Sequence, residues 1–355
     1  AFLFFFITLM EDTGYLARVA FLMDRTMRRF GLNGKSVIPL ISGTACAVPA
    51  IMSARNIENS KARLITILVT PLMSCSARLP VYILLIGLAV PDKNIYGIFN
   101  LQGLVLMGMY LLGFLAVIGG ATFFRIFLRT KVKQYFILEL PVYRWPNWQN
   151  VAIQVWNKVK TFLTEAGKII IAIAIILWFL ASYGPAEKMR KVDEKYDAKI
   201  SQSISSEKHI WEQQKRTEKL ENSYAGILGK SIEPGIRPLG FDWKIGIALI
   251  TSFAAREVFV GTMSTLYGIE GDTEGEAGKL QENMLKSVDS DTGRKVYTTA
   301  TVISLMLFYA FALQCMSTLA ITYKETGSFK WTLVQFSFMG ALAYISSLVA
   351  YQFLK

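Results

Sequence analysis

The chain has 355 residues, of which 53% are hydrophobic and 23 are phenylalanine, and its mean hydropathy is +0.38. This composition is too apolar for an ordinary soluble domain, and it predicts an all-α, polytopic membrane protein. The formal net charge of +12 would suggest nucleic acid in a soluble protein. Here the basic residues lie mainly between apolar stretches, as they do in cytoplasmic loops, so membrane lipid is an expected partner and nucleic acid is not.

Apolar stretches long enough to cross a bilayer recur along the chain. A transmembrane helix needs about 20 mostly apolar residues. The stretches that qualify are 64–90, 98–124, 165–183, 244–268, 298–323 and 331–354. The chain also opens on an apolar run without an initiator methionine, which predicts a further span cut at residue 1 and more protein upstream.

Segment 37–54 is apolar but broken, because it contains Pro39, Gly43 and Pro49. Three basic clusters lie around it in this half, at 25–35, 55–63 and 125–133. All three can face the cytoplasm only if segment 37–54 enters the membrane and returns to the same side. We therefore predict a re-entrant pair of half-helices, a structure that usually lines a binding cavity.

The second half weakly repeats the first. Ser42 in ISGTACAV aligns with Ser252 in TSFAAREV, and Cys75 in LMSCSARL aligns with Cys315 in ALQCMSTL. Interrupted apolar segments in two halves are typical of transporters with internal repeats, so we expect 244–268 to be re-entrant as well.

Between the halves, residues 186–222 are highly charged, with apolar residues at three-to-four spacing from Met189 to Ile204. This pattern predicts an amphipathic, solvated helix that packs on itself or on the membrane domain. A role in binding a partner protein is the alternative.

The three cysteines, Cys46, Cys75 and Cys315, all lie in apolar stretches beside small or hydroxyl residues. Thiols suit softer transition metals, whereas magnesium and calcium require oxygen ligands, so the cysteines predict a path for a transition metal. The alternative is that each cysteine is a small buried hydrophobic residue. An odd number of cysteines within the bilayer argues against disulfide bonding.

Charged residues inside apolar segments are costly and usually face a cavity or a partner. We expect Arg78 and Arg256 to bind helix-end carbonyls and to hold half-helices together. Glu257 is expected to neutralise Arg256 or, alternatively, to offer an oxygen ligand. Glu11, at the end of the first apolar run, is a further candidate ligand.

The sequence contains no recognisable catalytic motif. GLNGKS at 31–36 would need a glycine at Arg29 to form a phosphate-binding loop, and no hydrolase motif is found. This stretch of protein is therefore not expected to be an enzyme.

Five long motifs resemble ferrous-iron transport protein B across nearly the whole chain, except the charged insertion and 269–297. They are EDTGYLARVAFLMDR (11–25), GLNGKSVIPLISGTACAVPAIMSAR (31–55), TPLMSCSARLPVYI (70–83), AAREVFVGTMSTLYG (254–268) and QCMSTLAITYKETGSFKW (314–331). The resemblance implies a multi-pass protein of the bacterial inner membrane that imports ferrous iron. It also implies two gates with broken helices, at about 36–86 and 244–320, in halves 1–183 and 241–355, with 184–240 as a charged helical insertion.

The same resemblance implies partners and site residues. A GTP-binding domain would precede this chain and would bind GTP and magnesium. Small accessory Feo proteins would be partners, and a homo-oligomer is a further possibility. The family's cysteine motifs correspond to Cys46, Cys75 and Cys315, with Pro49 as a gate residue. One position departs from the family pattern, because Ala47 stands where an asparagine is usual.

Two other functions stay open at this point. The gate pattern also resembles nucleoside permeases, so the cargo could be an organic solute, although Asn, Gln and acidic residues are sparse in the gates. The chain could also be a membrane scaffold in which the cysteines only pack.

Overall fold

The computed structural model describes residues 2–91, 93–95, 99–128, 143, 145–202, 205–253, 256–267, 274–288, 295–313 and 315–355. These residues form α-helices joined by short turns, with one antiparallel pair of two-residue strands, β1 (Asn94–Ile95) and β2 (Phe99–Asn100). The helical class predicted from composition is confirmed.

The helices follow one another closely along the chain. The first part contains α1 (Phe2–Asp12), α2 (Tyr15–Arg29), α3 (Val37–Ala45), α4 (Ala47–Ser53), α5 (Ser60–Val69), α6 (Leu79–Ala89), α7 (Leu101–Phe127), α8 (Trp148–Phe162) and α9 (Lys168–Ser182). The second part contains α10 (Ala186–Gln202), α11 (Ser205–Asn222), α12 (Tyr224–Ile236), α13 (Trp243–Thr251), α14 (Val258–Leu266), α15 (Glu274–Lys286), α16 (Thr299–Phe311), α17 (Met316–Thr326) and α18 (Phe329–Leu354).

In the described part of the chain, four stretches made of one helix or of two successive helices are long and apolar enough to cross a membrane. They are Ser60–Ala89, Leu101–Phe127, Thr299–Thr326 and Phe329–Leu354. A pair bent by 63°, Ile171–Ser182 with Ala186–Asp197, would add a fifth if it were one span, but its second arm is strongly charged. The predicted span at 165–183 is therefore the 15-residue helix α9, which follows a π-helical turn at Leu163–Gly167.

The chain divides into two compact units. The first comprises Ala1–Ala77, Met107–Ile170 and Met316–Gly340, and the second comprises Arg78–Leu106, Ile171–Cys315 and Ala341–Lys355. The chain thus leaves the first unit three residues after Cys75 and returns to it directly after Cys315. Two of the three predicted cysteine positions lie where the chain changes unit.

The core of the first unit lies around α4, α5 and α17. Its buried residues are Val48, Ile51, Ala54, Ile57, Ala62, Ile67 and Ile321. Helix α5 begins where Asn59 accepts hydrogen bonds from the backbone N–H groups of Lys61 and Ala62, at 2.9 and 3.0 Å, which satisfies two donors at its start. This cap therefore defines where α5 begins after the turn that follows α4.

The core of the second unit lies around α16, which packs against α6. Tyr309 and Phe259 are fully buried there, with their rings edge to face at 4.8 Å. Helices α12 and α13 pack closely because Gly229 leaves room, since a Cβ at that position would lie 2.7 Å from Ile247 Cγ1. The second gate is built on this core.

The charged insertion differs in one respect from the sequence prediction. It forms two antiparallel helices, α10 and α11, and not one helix. Lys215 Nζ lies 2.7 Å from both Asp193 and Asp197, and Lys195 Nζ lies 2.8 Å from Glu218. Apolar spacing along α10 predicted a helix with a buried face, and the structure covers that face with α11.

Candidate functional site

The first gate contains a helix that is broken at a single residue. Helix α3 ends at Ala45 and α4 begins at Ala47, so Cys46 alone separates them, with φ −154° and ψ 131°. The extended backbone at Cys46 turns the chain. Its side chain is half-buried and packs against the core cluster of the first unit, together with Met52 and Phe162.

A second break lies at Cys75. Residues 73–75 are not helical and separate the 3-10 turns Thr70–Leu72 and Ser76–Arg78, so the apolar stretch from α5 to α6 is interrupted. Cys75 is half-buried and forms no disulfide bond, as is also true of Cys46 and Cys315.

The structure brings the breaks at Cys46 and Cys75 together. Ser76 Oγ donates a hydrogen bond of 3.0 Å to the carbonyl oxygen of Ala45, so the residues that adjoin the two cysteines are in contact. Gly43 supports the same approach, because a Cβ there would lie 3.2 Å from Thr70 Cγ2 and 3.6 Å from Met73 Cβ. A side chain at position 43 would therefore make this approach tight against Thr70.

The carbonyl groups near the end of α5 are satisfied by a side chain from α18. The buried Gln335 donates from Nε2 to the carbonyl oxygens of Ile67 and Leu68, at 3.0 and 3.1 Å. Irregular backbone within a membrane persists only where protein or water satisfies its polar groups. Gln335 therefore stabilises the broken segment that carries Cys75.

A cavity of about 340 Å³ adjoins the first broken helix. Its walls include Ser42, Pro49 and Met52 from α3 and α4. Glu11 from α1 and Lys158 from α8 also line it. The predicted gate residue Pro49 and the candidate ligand Glu11 thus share one cavity.

Glu11 forms an ion pair with Lys158 in this cavity. Lys158 Nζ lies 3.0 Å from Glu11 Oε2 and donates a hydrogen bond of 3.1 Å to Thr8 Oγ1. A carboxylate that is already neutralised attracts a cation less strongly, so Glu11 is a weak candidate for a metal ligand while Lys158 is in place.

The second gate contains the matching broken helix in the second unit. Helices α13 and α14 are separated by 252–257 and pack against each other, with Thr251 Oγ1 2.9 Å from Thr262 Oγ1. Ser252 is fully buried at the break and accepts a hydrogen bond of 3.2 Å from the Tyr309 hydroxyl of α16. Hydroxyl groups thus hold the two half-helices and α16 together.

Arg256 lies in this break and is 5% exposed. Its Nη2 donates a hydrogen bond of 3.0 Å to the carbonyl oxygen of Ala312, the residue directly after α16. Cys315 follows three residues later and is half-buried. Arg256 therefore joins the broken helix α13–α14 to the break that contains Cys315.

Glu257 and Arg78 differ in their surroundings. Glu257 is exposed and forms no ion pair with Arg256 in the part of the chain that the structure describes, so the neutralisation expected between these neighbours is not observed. Arg78 is fully buried at the start of α6. Within the described ranges, no three His, Cys, Asp or Glu side chains come close enough together to hold a metal ion.

Sequence reasoning missed several of these residues. Gln335 was detectable, because it is an isolated amide in the apolar run of α18. The pairing of Lys158 with Glu11 was not detectable, because the two residues are 147 positions apart in the chain.

Two family models match the chain. The family described as "Gate: Nucleoside recognition" matches residues 1–89 and 163–329, which is more than half of the chain. The family described as "Ferrous iron transport protein B C terminus" matches residues 106–158.

Curated proteins match over 99% of the chain. It is 47% identical over 350 residues to the Fe(2+) transporter FeoB of Leptospira interrogans, and 48% identical over 355 residues to that of Leptospira biflexa. It is 39% identical over 364 residues to a Porphyromonas gingivalis protein described as an Fe(2+) transport protein A/Fe(2+) transporter FeoB fusion protein. The alignments cover 47%, 47% and 41% of these relatives, so the chain spans about half of their length or less. No solved structure matches the chain.

Proposed function

Because the chain belongs to the Gate family and carries the C-terminal membrane region of the ferrous-iron transport protein B family, we propose that it forms the pathway by which ferrous iron crosses a membrane. The pathway passes the thiols of Cys46, Cys75 and Cys315. The observation that carries this proposal is the contact between the first two breaks, where Ser76 Oγ lies 3.0 Å from the Ala45 carbonyl oxygen.

The chemistry of the breaks suits a metal that must bind and leave. Thiols favour softer transition metals, and the absence of a three-residue cluster of His, Cys, Asp or Glu in the described residues fits weak, mixed coordination better than a closed site. Ferrous iron would lose some of its waters, exchange them for sulfur and hydroxyl groups, and be released when the half-helices shift. Half-helices that meet at one residue, as at Cys46, can shift without unfolding a whole span.

The arginine in the second gate has a positioning role in this proposal. Arg256 would repel a cation, so it acts through its bond to the Ala312 carbonyl group, which holds the start of the Cys315 break. We propose the same positioning role for Arg78 at the start of α6. Glu257, which is exposed, is the remaining candidate for an oxygen ligand in this gate.

The resemblance of the sequence motifs to ferrous-iron transport protein B also supports a wider context for the transporter. We propose that a GTP-binding domain regulates the pathway with GTP and magnesium, and that the protein lies in the bacterial inner membrane. The fusion of Fe(2+) transport protein A to the Porphyromonas gingivalis relative supports a small accessory Feo protein as a partner.

Anaerobic uptake of ferrous iron into proteoliposomes by the full-length protein tests the thiol pathway. Each cysteine is replaced in turn, first by serine and then by alanine, at matched folded amounts. The alanine variants are needed because Cys46 also packs against the hydrophobic cluster, and alanine keeps a small apolar side chain there. We expect both substitutions to reduce uptake while the melting temperature changes little.

Two results would contradict the proposal in different ways. Unchanged uptake in all six variants would mean that the cysteines only pack in an iron transporter. No uptake by the wild-type protein would remove the iron function itself, and a membrane scaffold would then be favoured if no other solute is carried.

A second candidate function is the transport of an organic solute such as a nucleoside. Nucleoside recognition, which is part of the description of the matched Gate family, favours this function. The cavity beside the first gate is also lined by the amides Asn56 and Asn157. Its volume of about 340 Å³ is near the lower end of ligand pockets. Uptake of a labelled nucleoside that ferrous iron does not inhibit would establish this function in place of iron transport.

A further inference from the structure

A pocket of about 510 Å³ lies in the second unit, where α16 begins and α18 ends. The two helices run antiparallel, because Ser304 Oγ lies 2.6 Å from Ser347 Oγ, while the earlier residue Thr299 and the later residue Leu354 line the same pocket. Both helices belong to stretches long and apolar enough to cross a membrane. The start of α16 and the end of α18 therefore lie at the same membrane surface, and the pocket lies with them.

Three basic side chains line this pocket, namely Arg237, Lys295 and Lys355. All three residues are exposed, and none forms an ion pair with another described residue. Two acidic residues, Glu233 and Asp242, line the pocket too. Asp242 is engaged as the cap of α13, since its Oδ1 accepts a hydrogen bond of 2.9 Å from the Ile245 backbone N–H. The pocket thus has an excess of positive charge.

Part of the pocket wall is formed where the chain turns at Gly240. Gly240 has a φ of +82°, and a Cβ at this position would lie 2.2 Å from the Tyr351 ring. Glycine therefore allows the chain to turn directly against Tyr351. Lys355 Nζ lies 5.7 Å from the centroid of the same ring, which holds the ammonium group at the rim of the pocket.

Apolar surface leads away from the pocket along two helices. On α12 the exposed side chains include Ile227, Leu228 and Ile232, while its opposite face packs on α13. On α18 the exposed side chains of Ile345 and Val349 form a stripe that ends at Phe353, which is 88% exposed. The Tyr344 hydroxyl donates to the Gly235 carbonyl oxygen at 2.9 Å, so the two apolar surfaces adjoin.

We propose that this pocket binds the phosphate headgroup of an anionic phospholipid, with the acyl chains on the exposed apolar surfaces of α12 and α18. Basic residues at a membrane surface attract anionic lipids, and the excess of cations here matches a phosphodiester group. A zwitterionic lipid carries a compensating cation of its own and would gain less from the site. The proposal is independent of the transported cargo.

Native mass spectrometry of the full-length protein in detergent tests this site. Phosphatidylglycerol and phosphatidylcholine with identical acyl chains are titrated in parallel. The variants are Arg237→Gln, Lys295→Gln, Lys355→Gln and their triple combination, and the matched control is Lys330→Gln, an exposed lysine at the opposite end of α18. No iron is present, so the result does not depend on transport.

We expect the wild-type protein and the Lys330→Gln control to retain phosphatidylglycerol in preference to phosphatidylcholine. Each substitution in the pocket should weaken phosphatidylglycerol binding about fivefold, and the triple variant should lose the preference. Lys355 lies at an exposed helix end, so its single variant reports on binding even if the triple variant folds poorly.

Two outcomes would overturn the proposal. One is equal retention of phosphatidylglycerol by the triple variant and the control. The other is displacement of the lipid by millimolar inorganic phosphate, which would indicate a site for a free anion and not for a lipid headgroup.

Discussion

Arg55 donates hydrogen bonds from Nε to both carboxylate oxygens of Glu325, at 3.0 and 2.8 Å, and a further bond from Nη2. The Glu325 side chain is only 7% exposed, whereas that of Arg55 is 52% exposed. Arg55 lies in the turn that follows α4, which begins directly after Cys46. Glu325 lies at the end of α17, which begins directly after Cys315. The ion pair thus joins the turn after the helix that starts at Cys46 to the end of the helix that starts after Cys315.

The unequal burial of this pair predicts unequal effects of substitution. Arg55→Ala leaves a buried carboxylate without its cation and should lower the free energy of unfolding by about 2 to 3 kcal/mol. Glu325→Gln leaves a half-exposed guanidinium that water can solvate, so its loss should be about 1 kcal/mol. Thermal unfolding in lipid nanodiscs measures both.

The exposed pair between Lys35 and Glu58, with Glu58 85% exposed, is the matched control. Lys35→Ala should change the free energy of unfolding by less than about 1 kcal/mol. The double variant Arg55→Ala/Glu325→Gln should recover part of the loss caused by Arg55→Ala. A larger loss in Glu325→Gln than in Arg55→Ala would show that burial does not decide the energetics of this pair.

Arg256 should be required for transport and for stability, because its bond to the Ala312 carbonyl group is buried. Arg256→Ala removes this donor and should cost about 3 kcal/mol. Arg256→Lys keeps the positive charge but not the planar guanidinium group. Its stability should therefore be closer to that of the wild-type protein than the stability of Arg256→Ala is, while its uptake stays reduced.

The matched control is Arg190→Gln, which removes an arginine whose side chain is 74% exposed. Melting temperature and uptake are measured for all three variants. Normal uptake in Arg256→Ala would mean that the Cys315 break does not need this bond.

Local sequence signals predicted the broken helices well. Pro39, Gly43 and Pro49 around Cys46 interrupt an apolar run that would otherwise continue, and the structure breaks the helix at Cys46. The repeat then led to the second break between α13 and α14. These features depend on residues a few positions apart, so they are visible without a fold.

The partners of charged and polar side chains were not predictable in the same way. Arg55 and Glu325 are 270 positions apart, and Gln335 and Ile67 are 268 positions apart. The sequence instead suggested the neighbour Glu257 for Arg256. Successive residues on a helix point in directions about 100° apart, so adjacency in the chain does not favour a side-chain pair.

The helical hairpin α10–α11 should respond to pH at both extremes. Hydrogen bonds from Lys215 and then Lys219 lower the pKa of Asp193, and hydrogen bonds to Asp193 and then Asp197 raise the pKa of Lys215. A lowered carboxyl pKa contributes stability that is present above its ordinary value of 3.8 and is lost as the pH falls through the folded-state pKa. A raised ammonium pKa contributes stability that is present below 10.5 and is lost as the pH rises further.

We therefore expect protection of residues 186–222 against hydrogen exchange to be constant near neutral pH, once the intrinsic pH dependence of exchange is removed. Protection should fall at the acid end, and Lys215→Met should make that fall shallower while lowering protection overall. Glu194→Gln, in an exposed pair, should leave the profile unchanged. An acid limb that is equally steep in Lys215→Met would exclude Asp193 as its source.

Two glycines of α7, Gly113 and Gly108, allow the position of the Cys75 break to be tested by substitutions on a neighbouring helix. A Cβ at Gly113 would lie 2.5 Å from Ser74 Oγ, and Ser74 is buried directly before Cys75. A Cβ at Gly108, five residues earlier on the same helix, would meet no atom within 4 Å. Alanine favours a helix over glycine by about 1 kcal/mol, so Gly108→Ala should be neutral or stabilising. Gly113→Ala must displace Ser74 and should reduce iron uptake several-fold; equal uptake by the two variants would show that the position of Cys75 tolerates such a shift.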